Sequence, residues 1–471
     1  MAIIFKGILF VVFIPLGQGP DEPNHVIHTL LFTQQRDNKP AYQDNITQKP
    51  SKPHVLYDAD PVDDPRFWNY TIHDDIITKK VFAILNKNNF WNFVDVSPPF
   101  PSTLEDVQKR GLGEYIAVRR YITPVYFYLL SMPLRWLNFK DITNQWFFLR
   151  FTSMIIGMGV VWFSYLTAKI VFKKYENTIA PLAVAAFVSF LPQFSFLSSV
   201  VNPDNLLFLF AAATLYVICL SIQAGKKLKY YIVIMLLSVI CCITKEQGIP
   251  VVIFAFFAIS FVALNSKNMS PPERIDAIFQ PIYVFLIFIL FTGAIIYFFG
   301  DRVSLGRFFD VGHARSNNVF QTFLVPADYM RCFLIWFVSF WFSYGWMVYK
   351  MSIAWYLVFG IITLIALIGV VKTILTKKEQ ENICKKCVFL IVSFVLISLF
   401  SVLIFYGPGH KGMQARHFLA ALPAIAILLV MGIDNLMPHE FQNIAIGIFI
   451  LFLVFVNAIT IIKYIIPIYY L

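Results

Sequence analysis

The sequence predicts an all-α polytopic membrane protein of about 11–13 transmembrane helices, with a large first extracytoplasmic loop containing short amphipathic helices. Three observations predict it. The 471 residues are 58% hydrophobic and only 14% charged, whereas soluble domains run about 45–50% apolar and about 25% charged. The mean hydropathy is +0.68. Apolar runs alternate with short polar joints, and extended hydrophilic sequence is concentrated in residues 17–120. So few charges could not cover the surfaces of several soluble domains. Disorder is excluded too, because it requires low hydrophobicity.

Residues 1–16 are apolar apart from Lys6, and Pro15 and Gly17 end the run. No A-x-A-like cleavage site follows, so this segment is expected to be an uncleaved first transmembrane helix rather than a signal peptide. Residues 17–145 form the outer loop. Within it, Asp21 to Gln35 reads as a helix, with acids and Pro23 in the first turn and Val26, Leu30 and Leu31 at helical spacing. Residues 74–92 read as an amphipathic helix with Ile77, Val81, Ile84 and Leu85 on one face. Between these helices lies a stretch rich in Pro, Asp and Asn, with sequons at Asn45-Ile46-Thr47 and Asn69-Tyr70-Thr71.

Spans are expected at 146–170, 179–200, 205–223, 230–244, 249–265 and 278–299, within a block covering 146–299. Residues 300–352 form a second extracytoplasmic segment with a membrane-associated helix, and 353–471 return to spans at 353–376, 387–406, 418–436 and 442–466. Two further apolar stretches, 121–139 and 328–349, either cross the bilayer or lie along its outer surface.

Charge sets the orientation. Residues 17–120 carry a net charge of −2, and the remainder carries +13. The basic clusters fall in short joints: Lys173-Lys174, then Lys226, Lys227 and Lys229, then Lys372 to Lys386. The positive-inside rule puts these in the cytoplasm. That leaves 17–145, 200–204, 245–248, 300–352 and 406–417 outside, provided 121–139 and 328–349 do not span. No basic stripe with interleaved aromatics lies in a soluble segment, which rejects nucleic-acid binding. The six cysteines all lie outside the hydrophilic loop, and Cys384-x-x-Cys387 has no second pair with which to complete a zinc site. No cofactor is assigned, and a carboxylate cage for a divalent metal would have to draw on residues 17–120. P-loop, G-x-S-x-G and H-E-x-x-H patterns are absent from the sequence.

The residues that could carry chemistry stand at membrane boundaries. Asp21 and Glu22 follow the first helix directly, and His25 lies one helical turn on. A partly desolvated carboxylate at that level suits a general base acting on a lipid-borne substrate, and it equally suits helix capping. Arg119, Arg120, Lys411 and Arg416 are cations on the expected outer side, able to hold a phosphate or to contact lipid head groups. Asp204, in Asn202-Pro203-Asp204-Asn205, and Lys245, in Lys245-Glu246-Gln247, lie between spans, where polar groups are costly. Turn chemistry is the plain alternative for the first joint, and mutual neutralisation of Lys245 and Glu246 for the second.

In their order along the chain, these motifs resemble the C-type (GT-C) integral membrane glycosyltransferases, and most closely a poorly characterised bacterial branch. The matching residues are Pro20-Asp21-Glu22-Pro23-Asn24-His25, Leu149-Arg150-Phe151-Thr152-Ser153, Val201-Asn202-Pro203-Asp204-Asn205, Thr244-Lys245-Glu246-Gln247-Gly248 and Gln414-Ala415-Arg416-His417. The chain departs from the branch at Tyr121 to Tyr126, where His-Pro-Pro-like residues are expected, and at Ala415 and His417, where Gly and Tyr are expected. The resemblance implies an inverting transfer of a sugar from a polyprenyl-phosphate donor to a glycan or lipid-linked acceptor, outside a bacterial inner or plasma membrane. It implies Asp21 or Glu22 as base, Arg119, Arg120, Lys411 and Arg416 at the donor phosphate, and His25, Asp204 and Lys245 at the substrate. A flippase or transporter of lipid-linked saccharides is a rival reading, as is a polymerase or ligase that releases a polyprenyl pyrophosphate.

Overall fold

The computed structural model describes residues 2–34, 70–71, 76–94, 96–116, 118–119, 125–137, 139–173, 179–225, 227–264, 326–375, 382–406 and 414–471, with six scattered positions between 279 and 293. The expected span 278–299 therefore lies largely outside the described residues, as do both sequon asparagines.

The chain opens with helix α1, Ala2–Phe13. A turn through Gly17, whose φ of +91° few side chains tolerate, leads into α2, Glu22–Gln34. Next come α3, Ile76–Lys87, α4, Leu104–Lys109, and α5, Val125–Leu137. Thr103 and Asp106 form a reciprocal capping box at the start of α4, and the Ser102 hydroxyl and amide hold the Asp106 carboxyl below the usual carboxylate range. A two-residue antiparallel ladder pairs β1, Tyr70–Thr71, with β2, Val118–Arg119.

These outer elements build a core of their own. Val26, Ile27 and Leu30 of α2 meet Ile77, Val81 and Leu85 of α3 and Tyr126, Phe127, Leu130 and Leu134 of α5. The other face of α5 exposes Tyr128, Leu129, Met132, Trp136 and Leu137. One face packed on the outer core and an apolar face left open suit a helix lying at a membrane surface.

The long helices follow. Helix α6, Ile142–Val171, has 30 residues, enough at about 1.5 Å each to cross a hydrocarbon core of about 30 Å. The expected span 179–200 is broken: α7, Ala180–Phe190, and α8, Pro192–Ser198, meet at 63°. Pro192 has no N–H to continue the ladder. Lys6 of α1 helps satisfy the break, donating to the Ser189 carbonyl at 2.5 Å and to Ser195 Oγ at 3.0 Å. Asn457 Nδ2 donates to the Phe190 carbonyl at 3.1 Å.

Then come α9, Asp204–Ala224, α10, Leu228–Thr244, and α11, Ile249–Leu264. They are followed by α12, Pro326–Trp341, α13, Ile353–Leu375, α14, Asn382–Tyr406, and α15, Leu422–Leu436. The chain closes with α16, Gln442–Ile459, a π-helical turn at Thr460–Ile465 and α17, Ile466–Tyr470. Among the described residues, six helical segments are long and apolar enough to cross a membrane, or seven counting the bent pair. Helices α1, α10, α11 and the Tyr329–Trp341 part of α12 are apolar but shorter.

Helix α6 packs along α7 and α9, α9 along α10, and α13 along α15. Gly369 of α13 and Gly432 of α15 bring two backbones together, and a Cβ on Gly369 would run into Gly432. The outward face of α13 carries Leu357, Ile361, Leu364 and Ile368, all exposed, as expected where the solvent is lipid.

Candidate active site

The antiparallel threading gathers the polar joints at one end of the bundle. The end of α1, the start of α2, the first turns of α6 and α9, the joint after α10 and the turn before α15 all meet there. The first connection is made by Glu22. It is fully buried, and its carboxylate accepts six hydrogen bonds. Oε1 receives Arg150 Nε at 2.7 Å, Trp146 Nε1 at 3.1 Å and the Val201 amide at 3.2 Å. Oε2 receives Arg150 Nη2 at 2.7 Å and the amides of Gly17 and Gly19 at 3.1 and 3.2 Å. The rest of the guanidinium serves the frayed end of α1: Nη1 donates to the carbonyls of Val11 and Ile14, and Nη2 to that of Pro15. All five guanidinium N–H groups thus have acceptors.

Asp21 is placed differently. Its φ is +59°, a left-handed conformation that Asp tolerates better than most residues. Its Oδ2 lies 3.3 Å from Arg416 Nη2, across 395 residues of sequence, and the two side chains are 11% and 13% exposed. Arg416 Nε and Nη1 are buried and have no hydrogen-bond partner among the described residues.

The turn bearing Arg416, a 3-10 helix at Ala415–Ala421, is pinned on both sides. The Ala415 amide donates to Ser339 Oγ of α12 at 2.9 Å. The His417 ring lies 3.3 Å from Gln247 Nε2. Gln247 belongs to the same joint as Lys245, whose Nζ meets Asp204 Oδ1 at 2.5 Å. Lys245 therefore pairs with an acid 41 residues away. Asp204 opens α9, where a negative charge suits the helix N-terminus, and its amide donates to Asn202 Oδ1 at 2.9 Å.

His25 lies on the buried face of α2, its ring 5.7 Å from that of Phe127. Tyr126 is fully buried with its hydroxyl 3.2 Å from Ser153 Oγ, and burial pushes the phenol far above its ordinary range, so it stays protonated. Of the expected outer cations, Arg416 is brought to Asp21. The Arg119 side chain, Arg120 and Lys411 lie outside the described residues. Among the described residues no group of three His, Cys, Asp or Glu side chains could hold a metal ion.

Arg150, Ser339 and Gln247 were not singled out as site residues from the sequence. Arg150 left a readable signal, since a guanidinium inside an apolar helix is costly and implies a partner. Ser339 left none, because a serine in an apolar helix is common.

Such a structure, a helical polytopic bundle whose buried ion pairs join its polar joints at one end, belongs to an integral multi-pass membrane protein. Residues 123–297 match the family model for dolichyl-phosphate-mannose-protein mannosyltransferases, a family of the GT-C superfamily, and this match over part of the chain supports a membrane glycosyltransferase of the GT-C type. The matched segment includes Arg150, Asp204 and Lys245 but neither Asp21 nor Arg416. No curated protein matches the chain.

Proposed function

We propose that the chain moves a sugar from a polyprenyl-phosphate donor to a glycan or lipid-linked acceptor, with inversion and with Asp21 as the base. The observation that carries this reading is the Asp21–Arg416 contact, which sets a carboxylate and a guanidinium with open donors side by side at one end of the bundle. Glu22 is unsuited to the same task. Six donors already occupy its two oxygens, so neither is open to an acceptor hydroxyl.

In the reaction, the acceptor oxygen attacks the anomeric carbon from the face opposite the phosphate. Its proton passes to the Asp21 carboxylate. The bond from the anomeric carbon to the phosphate oxygen breaks, and polyprenyl phosphate leaves with the added negative charge. Arg416 Nε and Nη1 are donors already in place for that charge. Asp204 and Lys245 contact the substrate in this scheme, as does His25.

The helix ends support an extracytoplasmic site. Lys173 follows α6, Lys227 and Lys229 open α10, Lys372 ends α13, and Lys385 and Lys386 open α14. All of these ends are opposite to those that carry the site. Cys384 Sγ lies 3.5 Å from the Val171 carbonyl, and Lys372 Nζ lies 3.1 Å from that of Asn435. By the positive-inside rule that lysine-rich end faces the cytoplasm, and the site opens outside a bacterial inner or plasma membrane. Transfer of labelled sugar from a polyprenyl-phosphate donor by the purified chain tests the assignment. Complete retention of that activity in Asp21→Asn would remove Asp21 as base.

A further inference from the structure

Arg416 has two claimants. One edge of its guanidinium meets Asp21, while Nε and Nη1 are buried with no acceptor among the described residues. We propose that the donor phosphate and Asp21 compete for Arg416, so that seating the donor releases Asp21 to act as a base and the donor binds before the acceptor is activated. The proposal rests on the reading of Asp21 as base and Arg416 as phosphate ligand.

The pair is largely shielded from water, with 11% and 13% side-chain exposure, so its attraction is less screened than that of a surface pair. While it lasts, the guanidinium stabilises the Asp21 carboxylate and weakens it as a proton acceptor. A phosphate ester offers several oxygens to the planar guanidinium and can take two parallel hydrogen bonds from it. Bound there, it draws Arg416 away from the carboxylate and adds a negative charge beside it. Both effects raise the affinity of Asp21 for the acceptor's proton.

The surroundings favour exchange of partners over movement of the backbone. The Ala415 amide is tied to Ser339 Oγ at 2.9 Å, and His417 is held by Gln247. The guanidinium must therefore turn about its own side-chain bonds. Glu22 cannot relieve Asp21 of its partner, since Arg150 is committed to Glu22 and to the end of α1. Asp21 thus stays quiet in the empty enzyme and becomes a base when the leaving group is in place.

The test is a double-mutant cycle read by binding. Full-length wild type, Asp21→Asn, Arg416→Gln and the double variant are placed in lipid nanodiscs and titrated with undecaprenyl monophosphate. Asp21→Asn is expected to tighten binding about tenfold in the Arg416 background and to change it less than twofold in the Arg416→Gln background. No tightening, or equal tightening in both backgrounds, overturns the competition. The second result would mean plain repulsion between Asp21 and the phosphate. Arg416→Met, which also removes the charge, serves in place of Arg416→Gln if the latter does not fold. Titration with inorganic phosphate is expected to give far weaker binding, and equal affinity would overturn a lipid-borne source of the phosphate. Turnover is measured separately: an active Asp21→Asn enzyme removes the base reading itself, whereas an inactive one without the binding signature removes only the competition.

Discussion

Arg150 and Glu22 face each other in a fork, Nε on Oε1 and Nη2 on Oε2, each at 2.7 Å, with both side chains wholly buried. This pair joins the first turn of the outer segment to α6, and through the Val201 amide to the start of α9. Its consequence is chiefly for folding. Removing one partner strands the other charge, which in buried pairs costs about 3–5 kcal/mol. Glu22→Gln and Arg150→Met are therefore expected to lower the thermal midpoint of the detergent-purified protein and its monodisperse yield. Size-exclusion chromatography with a melting curve checks this, and wild-type stability in both variants would refute it.

Asp21→Asn should act on chemistry. It keeps the size of the side chain and removes the proton acceptor, so transfer should fall by about 10²–10⁴-fold, the usual share of general base catalysis. The melting midpoint should fall, since Arg416 loses its charge partner, but less than in Glu22→Gln, because the left-handed backbone at φ +59° suits Asn as well as Asp and this pair is the more exposed of the two. Parallel turnover and melting measurements separate this variant from Glu22→Gln.

The Lys245–Asp204 bridge at 2.5 Å invites a double-mutant cycle. Lys245→Met leaves a nearly buried carboxylate without its cation. Asp204→Asn together with Lys245→Met removes both charges. The double variant is expected to be more stable than the Lys245→Met single, with a coupling of about 1–3 kcal/mol. Additive melting shifts would show that the two residues do not interact.

Packing of α13 on α15 depends on glycine at the crossing. Gly432→Leu would force the backbones at Ala366 and Gly432 apart. A loss of about 2 kcal/mol or more is expected, within the range for overpacked sites. Gly447→Leu, at an open position on α16, is the control and should melt close to wild type.

Much of the architecture could be read from the sequence because lipid allows so few solutions. The start of α2 followed from Asp21, Glu22 and Pro23, and the buried face of α3 from the spacing of Ile77, Val81 and Leu85. Helix α9, Asp204–Ala224, matches the span expected at 205–223 to within a residue at each end. The break at Leu191 differs from the expected single span, because 179–200 carries no charge and its scattered serines and Gln193 read as ordinary for a span, leaving Pro192 as the mark of the break. Adjacent residues were harder still. Asp21 and Glu22 are chemically alike in sequence, and only the arrival of Trp146, Arg150 and Val201 makes one of them saturated. Lys245 seemed able to neutralise its neighbour Glu246, but its partner is Asp204 on another helix. Local sequence does not specify which long-range partners the helix ends will find.

The buried fork between Glu22 and Arg150 also constrains how the chain is made. The acid emerges from the ribosome 128 residues before its cation. When α6 enters the bilayer it brings a guanidinium nine residues into the helix, and an unpaired charge within an apolar span is costly. The relief is already waiting in the turn after α1. The first helix is thus a docking partner for the next long one during synthesis, and a chain that lost α1 would have to insert α6 with its charge unmet.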